Sequence, residues 1–129
     1  LGIAQASLNA SVSYSKERIQ FGKPISINQA IQFKIADMTM EIEAARLLVR
    51  QAAWKKDQKQ SYSHVASMAK VYASEVAMRA STQCVQIHGG FGFMQESGIE
   101  RLMRDAKITQ IYEGTSEIQR VVIARSVLK

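Results

Sequence analysis

The sequence predicts an all-α fold, most simply an antiparallel up-and-down four-helix bundle. Apolar residues recur at helical spacing over long stretches, and no stretch sustains the period-two alternation of a half-buried strand. A single proline, Pro24, and seven glycines leave most of the 129 residues free of helix breakers. The breakers and polar runs that do occur fall between the periodic segments, where connections belong.

The first helix is marked by Leu1, Ala4, Leu8, Val12, Ser15 and Ile19, which form one stripe and end near Phe21-Gly22, with Pro24 as a stop. Ser26 followed by Gln29 reads as a capping box opening a second helix. Ile31, Ile35, Met38, Ile42, Ala45, Val49 and Ala52 carry that helix to about Lys56, roughly 45 Å at 1.5 Å per residue. The polar run Asp57 to Ser63 is the connection, and Ser63 is the expected N-cap of a third helix bearing Val65, Met68, Tyr72, Val76, Ala80, Cys84 and Ile87. Gly89-Gly90 ends it, and Phe91 to Gly98 reads as a loop. Ile99 to Ile108 forms a shorter helix, broken around Tyr112 to Gly114. A last helix starts at Thr115 or Ser116, where Ser116 and Gln119 have capping-box spacing.

Composition narrows the function classes. Apolar residues at 47% and charged residues at 22% describe a globular mixture with enough chain for one core. No apolar run approaches the roughly 20 residues of a membrane span, and no signal-peptide pattern opens the chain. The lone Cys84 has no partner for an internal disulfide and fits a reducing compartment, so the protein is expected not to be secreted. The chain opens at Leu1, without methionine and directly in helical periodicity, so it reads as a piece of a longer protein. Seventeen basic residues against eleven acidic ones give a net charge of +6, which suits anionic partners such as phosphate-bearing cofactors, nucleic acid or an acidic neighbouring domain. The basic residues are dispersed, which equally describes solvated helix faces.

The sharpest local feature is the stretch "QIYEGTSEIQR" from Gln110 to Arg120. Glu113 stands just before a helix N-terminus, where unpaired N–H groups and the helix dipole favour negative charge, and Gly114 permits an unusual backbone angle or a close ligand. Taken alone, this is also an ordinary acidic helix-entry turn. Its companions are "ERIQFGKPI" from Glu17 to Ile25, "QIHGGFGF" from Gln86 to Phe93 and "RDAKI" from Arg104 to Ile108. In this order and at these separations, the blocks resemble the C-terminal helical domain of the acyl-CoA dehydrogenase family of flavoproteins, in its short-chain, butyryl-CoA-dehydrogenase-like form. The resemblance runs from Leu1 to Lys129.

The resemblance implies FAD-dependent α,β-dehydrogenation of acyl-CoA thioesters, with Glu113 as the catalytic base that removes the α proton while hydride leaves the β carbon. An α proton beside a thioester is weakly acidic, so such a base needs an apolar, water-excluding surround. Tyr112 is expected to wall that substrate site and Gly114 to leave room for the thioester. Arg18 and Gln29 are implied contacts to FAD of a neighbouring subunit, the guanidinium suiting a diphosphate. Gln86, Ile87, His88, Gly89 and Gly90 form a second implied cofactor segment, and Thr115, Ser116 and Glu117 a third. Each also has a plainer reading: Arg18 as a solvated residue, Gly89-Gly90 as a C-cap, His88 as a dipole-compensating residue and Ser116 as an N-cap.

The remaining residues read as structural. His64, His88 and Cys84 lack metal-ligand spacing, and no metal is implied. Arg104-Asp105 reads as an ion pair or interface contact, Met38, Met40, Met68 and Met78 as core filler, and Trp54 as a packing or interface residue. The family implies an acyl-CoA substrate, an electron-transfer flavoprotein as electron acceptor and a homo-oligomer, dimeric or tetrameric. It places such an enzyme in the bacterial cytoplasm or the mitochondrial matrix. Its N-terminal helical and central β domains have no counterpart here, so this piece alone is expected to be inactive. An acyl-CoA oxidase shares the base but lets oxygen reoxidise the flavin. A non-catalytic basic helical module predicts a clustered basic stripe or interleaved aromatics, which the sequence lacks. Glutamate at position 113 points to short-chain, medium-chain or branched short-chain substrates rather than the isovaleryl and long-chain branches.

Overall fold

A computed structural model describes all residues from Leu1 to Lys129. The chain is helical almost throughout: α1 (Gly2–Glu17), α2 (Gln29–Asp57), α3 (Ser63–His88), the single turn α4 (Gly90–Phe93), α5 (Ile99–Thr109) and α6 (Ser116–Val127). The α3 helix is the hub, packing against α1, α2, α5 and α6. The core lies around it, built from Ala4, Met38, Ile42, Ala45, Val76, Ala77, Ala80, Ile87 and Ala106. Five of the expected α3 positions, Val65, Val76, Ala80, Cys84 and Ile87, are buried as the periodicity predicts. The 29-residue α2 is about 44 Å long at 1.5 Å per residue. The expected break around Tyr112 to Gly114 separates α5 from α6, each packed on α3.

The buried face of α1 keeps Ala4 and Ser15 of the expected stripe but replaces its leucine and valine positions with serines. It consists of Ala4, Ser7, Ser11 and Ser15. Each serine hydroxyl bonds back within the helix: Ser7 to the Ile3 carbonyl at 2.8 Å, Ser11 to the Ser7 carbonyl at 2.8 Å and Ser15 to the Val12 carbonyl at 2.9 Å. A serine satisfied in this way behaves as a small residue, so α1 approaches α3 closely without burying an unpaired polar group. Leu8 and Val12 are half-buried at the edge of this seam, and Ile19 lies outside the helix, half exposed.

The start of α2 and the end of α1 also differ from expectation. Rather than continuing to Phe21-Gly22, α1 stops at Glu17, and Arg18 takes extended backbone (φ −72°, ψ 117°). The chain then makes a small antiparallel hairpin, pairing Ile19 with Pro24 and Gln20 with Lys23. Phe21 and Gly22 form its turn at φ +50° and +78°, the left-handed pair that matches strand twist in a two-residue hairpin. A 3₁₀ turn over Ile25–Ile27 follows, so the N-cap of α2 falls on Asn28 and the Ser26–Gln29 capping box does not form. The Ser26 carbonyl instead accepts from the Gln32 amide at 3.1 Å. Ser63 is the first helical residue of α3, after Tyr62, rather than its cap.

Beyond α3, the expected loop over Phe91–Gly98 is partly ordered into α4 and a 3₁₀ turn at Gln95–Ser97. Buried Gly92 lets α4 lie on the last turn of α3: a Cβ there would stand 2.6 Å from His88 Cβ and 2.9 Å from the Val85 carbonyl oxygen. No helix is long and apolar enough to cross a membrane.

Candidate active site

The break between α5 and α6 is built from backbone. The end of α5 is tightened by the Tyr112 and Ile111 amides, which both bond the Ile108 carbonyl, at 3.0 and 2.9 Å. The Ser116 amide reaches back to the Gln110 carbonyl at 3.0 Å and closes the loop. Between these ties Glu113 and Gly114 both adopt left-handed backbone, φ +53° and +85°. For a glutamate this conformation is uncommon and marks a position that its surroundings over-determine. The Glu113 carbonyl accepts from the Gln119 side-chain amide at 3.2 Å, and the Gly114 carbonyl from Lys70 Nζ at 2.6 Å.

The Glu113 side chain is exposed and makes no hydrogen bond or ion pair within the chain. The dry pocket expected around it is therefore not closed by these residues alone. Tyr112, half exposed, borders an apolar cleft of about 260 Å³ between α1 and α3, lined by Leu1, Ile3, Ala69, Ala73, Ala77 and the stem of Lys70.

At the start of α6, Thr115 is the N-cap, its hydroxyl accepting from the Ile118 amide at 3.3 Å. The Ser116–Gln119 capping box is thus not formed: Ser116 is already the first helical residue, and Gln119 turns toward Glu113. Ser116 Oγ is buried with no hydrogen-bond partner. Glu117 is held below the usual carboxylate range, first by its own backbone N–H, then by the Thr115 hydroxyl and the charges of Arg120 and Lys107. Thr115, Ser116 and Glu117 line one small cleft of about 260 Å³, together with Lys107 and the Arg120–Glu75 ion pair.

Arg18 meets the glycine segment in a separate cleft of about 370 Å³, which Ile87, His88, Gly89 and Gly90 also line. The Arg18 guanidinium has no carboxylate partner in the chain. Gly89 caps α3 at φ +62° and ψ −144°, a backbone open to glycine and strained for other residues. His88 is buried, and its Nδ1 lies 2.8 Å from the Cys84 carbonyl, so Nδ1 carries the proton and donates. Its ring stacks on Tyr14 with centroids 4.2 Å apart, and Tyr14 stacks in turn near Phe91 at 6.3 Å. His88 thereby braces the glycine turn and presents only its remaining edge to the cleft. Burial pushes the neighbouring Cys84 thiol up, against a weaker opposing hydrogen bond from Ser11, which makes it a poor nucleophile.

Gln86 and Gln29 lie exposed, outside this cleft. Lys70, Gln119 and the Tyr14–Phe91 stack escaped sequence reasoning. Lys70 sits 44 positions from Gly114 in the chain, a distance that leaves no local signature. Arg104 pairs with Glu100 at 2.6 Å, and this contact holds Glu100 below the usual carboxylate range. No group of three or more His, Cys, Asp or Glu side chains is placed to hold a metal ion.

The family model of the acyl-CoA dehydrogenase C-terminal domain matches residues 1–128. The chain belongs to the acyl-CoA dehydrogenase family. This acyl-CoA dehydrogenase C-terminal domain is 60% identical over 129 residues to the probable acyl-CoA dehydrogenase YngJ of Bacillus subtilis strain 168, covering 100% of this chain and 34% of that protein. It superposes on the butyryl-CoA dehydrogenase of Megasphaera elsdenii with a TM-score of 0.98 at 54% identity, covering 99% of this chain and 33% of that one. The FAD complex of PigA follows the same fold with a TM-score of 0.92 at 34% identity, over 96% of this chain and 32% of that one. The domain therefore spans about a third of the length of the relatives it matches.

Proposed function

We propose that the full-length protein is an FAD-dependent acyl-CoA dehydrogenase acting on short-chain thioesters, and that this domain supplies the base, Glu113, and part of the cofactor site. The observation that carries the reading is the Glu113 turn. An unpaired carboxylate stands on a left-handed backbone pair whose two carbonyls are tied to α6 and α3. That arrangement spends no hydrogen bond on the side chain and fixes its origin, as a base that must meet a substrate proton requires. Its exposure leaves one side open for the acyl thioester and for the rest of the protein to close over it, raising its basicity by desolvation.

The residues present fit the cofactor. The unpaired Arg18 guanidinium faces the Gly89–Gly90 backbone, a donor set suited to a diphosphate. The orphaned Ser116 hydroxyl at the N-terminus of α6 asks for a polar partner. Glu117, an acceptor only, suits a hydroxyl or amine of the cofactor rather than its phosphates. The two groups line separate clefts, in keeping with Arg18 and Gln29 serving the cofactor of a neighbouring subunit. Bound FAD supplies the acceptor for the hydride leaving the β carbon. Glu113 takes the α proton, Gly114 leaves the thioester unobstructed, and Tyr112 covers the acyl chain.

A homo-oligomer follows from the same reading. Phe33, Met40, Leu47 and Trp54 recur every seventh residue along α2, each more than half exposed, a stripe that a second copy of the helix complements. Electrons pass onward to an electron-transfer flavoprotein. The test is purification of the full-length protein as a yellow flavoprotein that bleaches anaerobically on addition of a short-chain acyl-CoA. Rapid recolouring in air would mark the oxidase chemistry instead.

A further inference from the structure

We propose that Lys70 and Gln119 are positioning residues for the base, a role that rests on the reading of Glu113 as that base. Two consecutive left-handed residues carry Glu113 out of the α5–α6 path, and each carbonyl of the pair accepts a side-chain hydrogen bond. Gln119 Nε2 donates to the Glu113 carbonyl at 3.2 Å, and Lys70 Nζ donates to the Gly114 carbonyl at 2.6 Å. The two donors come from different helices, so the turn is fastened to α6 on one side and to the hub α3 on the other. The lysine bond is charge-assisted and therefore the shorter and stronger of the two.

The fastening also explains the glycine. A Cβ on Gly114 would stand 2.6 Å from Gln119 Nε2, so any side chain there displaces the amide that holds the Glu113 carbonyl. Lys70 reaches the turn along the wall of the apolar cleft beside Tyr112, and its neighbours Ala69 and Val71 are buried in α3. The place of the base is thereby referred to the most buried helix of the domain. A displacement of about 1 Å in a reacting group is enough to lower a rate by about a hundredfold. Loss of either bond thus acts on the proton-transfer step and leaves FAD and acyl-CoA contacts in place.

The experiment uses the full-length FAD-loaded enzyme with butyryl-CoA, measuring the anaerobic flavin-reduction rate, KM, flavin content and thermal midpoint for Lys70→Met, Lys70→Arg, Gln119→Met and Glu113→Gln. Lys70→Met keeps the apolar stem and removes the donor. The reduction rate is expected to fall about ten- to a hundredfold, with KM and flavin content unchanged. Lys70→Arg is expected to recover most of the rate, and Gln119→Met to show the same split between rate and KM. Lys70→Met and Gln119→Met at native rates, while Glu113→Gln stalls, would overturn the positioning role and leave the base intact. A rate loss matched by lost flavin or a lowered midpoint, without rescue by arginine, would equally overturn it as mere structural support. Near-native reduction by Glu113→Gln would instead remove the reading on which it rests.

Discussion

Replacing Glu113 by glutamine separates chemistry from structure more cleanly than any other change in the domain. The carboxylate makes no hydrogen bond or ion pair within the chain and is exposed, so glutamine of nearly equal size removes no internal contact. The left-handed backbone at φ +53° is held by the carbonyl bonds to Gln119 and Lys70, which the substitution leaves alone. Stability is therefore expected to change by no more than about 0.5 kcal/mol, the usual range for a surface position. The amide cannot accept the α proton, and general-base catalysis is worth about 10²–10⁴-fold. At about 1.36 kcal/mol per decade, this raises the barrier by roughly 2.7–5.4 kcal/mol. The assay is stopped-flow bleaching of the flavin by an acyl-CoA under anaerobic conditions in the full-length enzyme, with FAD content and acyl-CoA affinity measured alongside. A variant that bleaches at a near-native rate would show that Glu113 is not the base and direct attention to another carboxylate of the full-length protein. A variant that loses FAD or unfolds would show that the turn, not the proton, is what the carboxylate serves.

Three further outcomes follow from the same geometry. With Arg18 holding the cofactor diphosphate as proposed, Arg18→Ala is expected to cost a charge-assisted contact of about 1.5–3 kcal/mol and to lower FAD affinity in the intact enzyme about ten- to a hundredfold; unchanged flavin retention would make Arg18 a solvated residue. Glu117 has a folded-state pKa below its unfolded one, so its contribution to stability is present above the unfolded value, about 4.3, and is lost as pH falls through the lower folded value. Thermal midpoints of Glu117→Gln are accordingly expected to converge on wild type below that window, and a constant difference at all pH values would refute the linkage. Charged substitutions at Met40 and Leu47 on the exposed α2 stripe are expected to dissociate the oligomer in light scattering, and a wild-type enzyme that is monomeric and fully FAD-loaded would refute assembly through this domain.

The helices were legible where burial depends on large apolar side chains. The α3 pattern from Val76 to Ile87 and the Met38–Ile42–Ala45 face of α2 are examples, because hydrophobic area and a 3.6-residue period report the same surface. The α1 seam was read at Ala4 and Ser15 but missed at Ser7 and Ser11, because serine scores as polar until its hydroxyl is known to be satisfied by its own helix. The caps failed for a related reason. Ser26 and Ser116 have the right spacing, but a 3₁₀ turn and a better-placed Thr115 moved each helix start by one or two residues, a shift local pattern does not resolve. The site divides along the same line. Arg18 and Gly89 are recognisable as parts of separate motifs, and the structure adds that they line one cleft. Glu113 is recognisable too, but what holds it is not. Lys70 and Gln119 meet the turn through backbone carbonyls, and a carbonyl accepts from any donor, so neither partner leaves a residue-specific trace around position 113. The proposed base is thus recognisable from its own short motif, while the turn that carries it is held by donors from α3 and α6. On that proposal, a change at Lys70 on α3, 44 positions from Gly114 in the chain, is expected to alter the reaction while every motif residue stays intact.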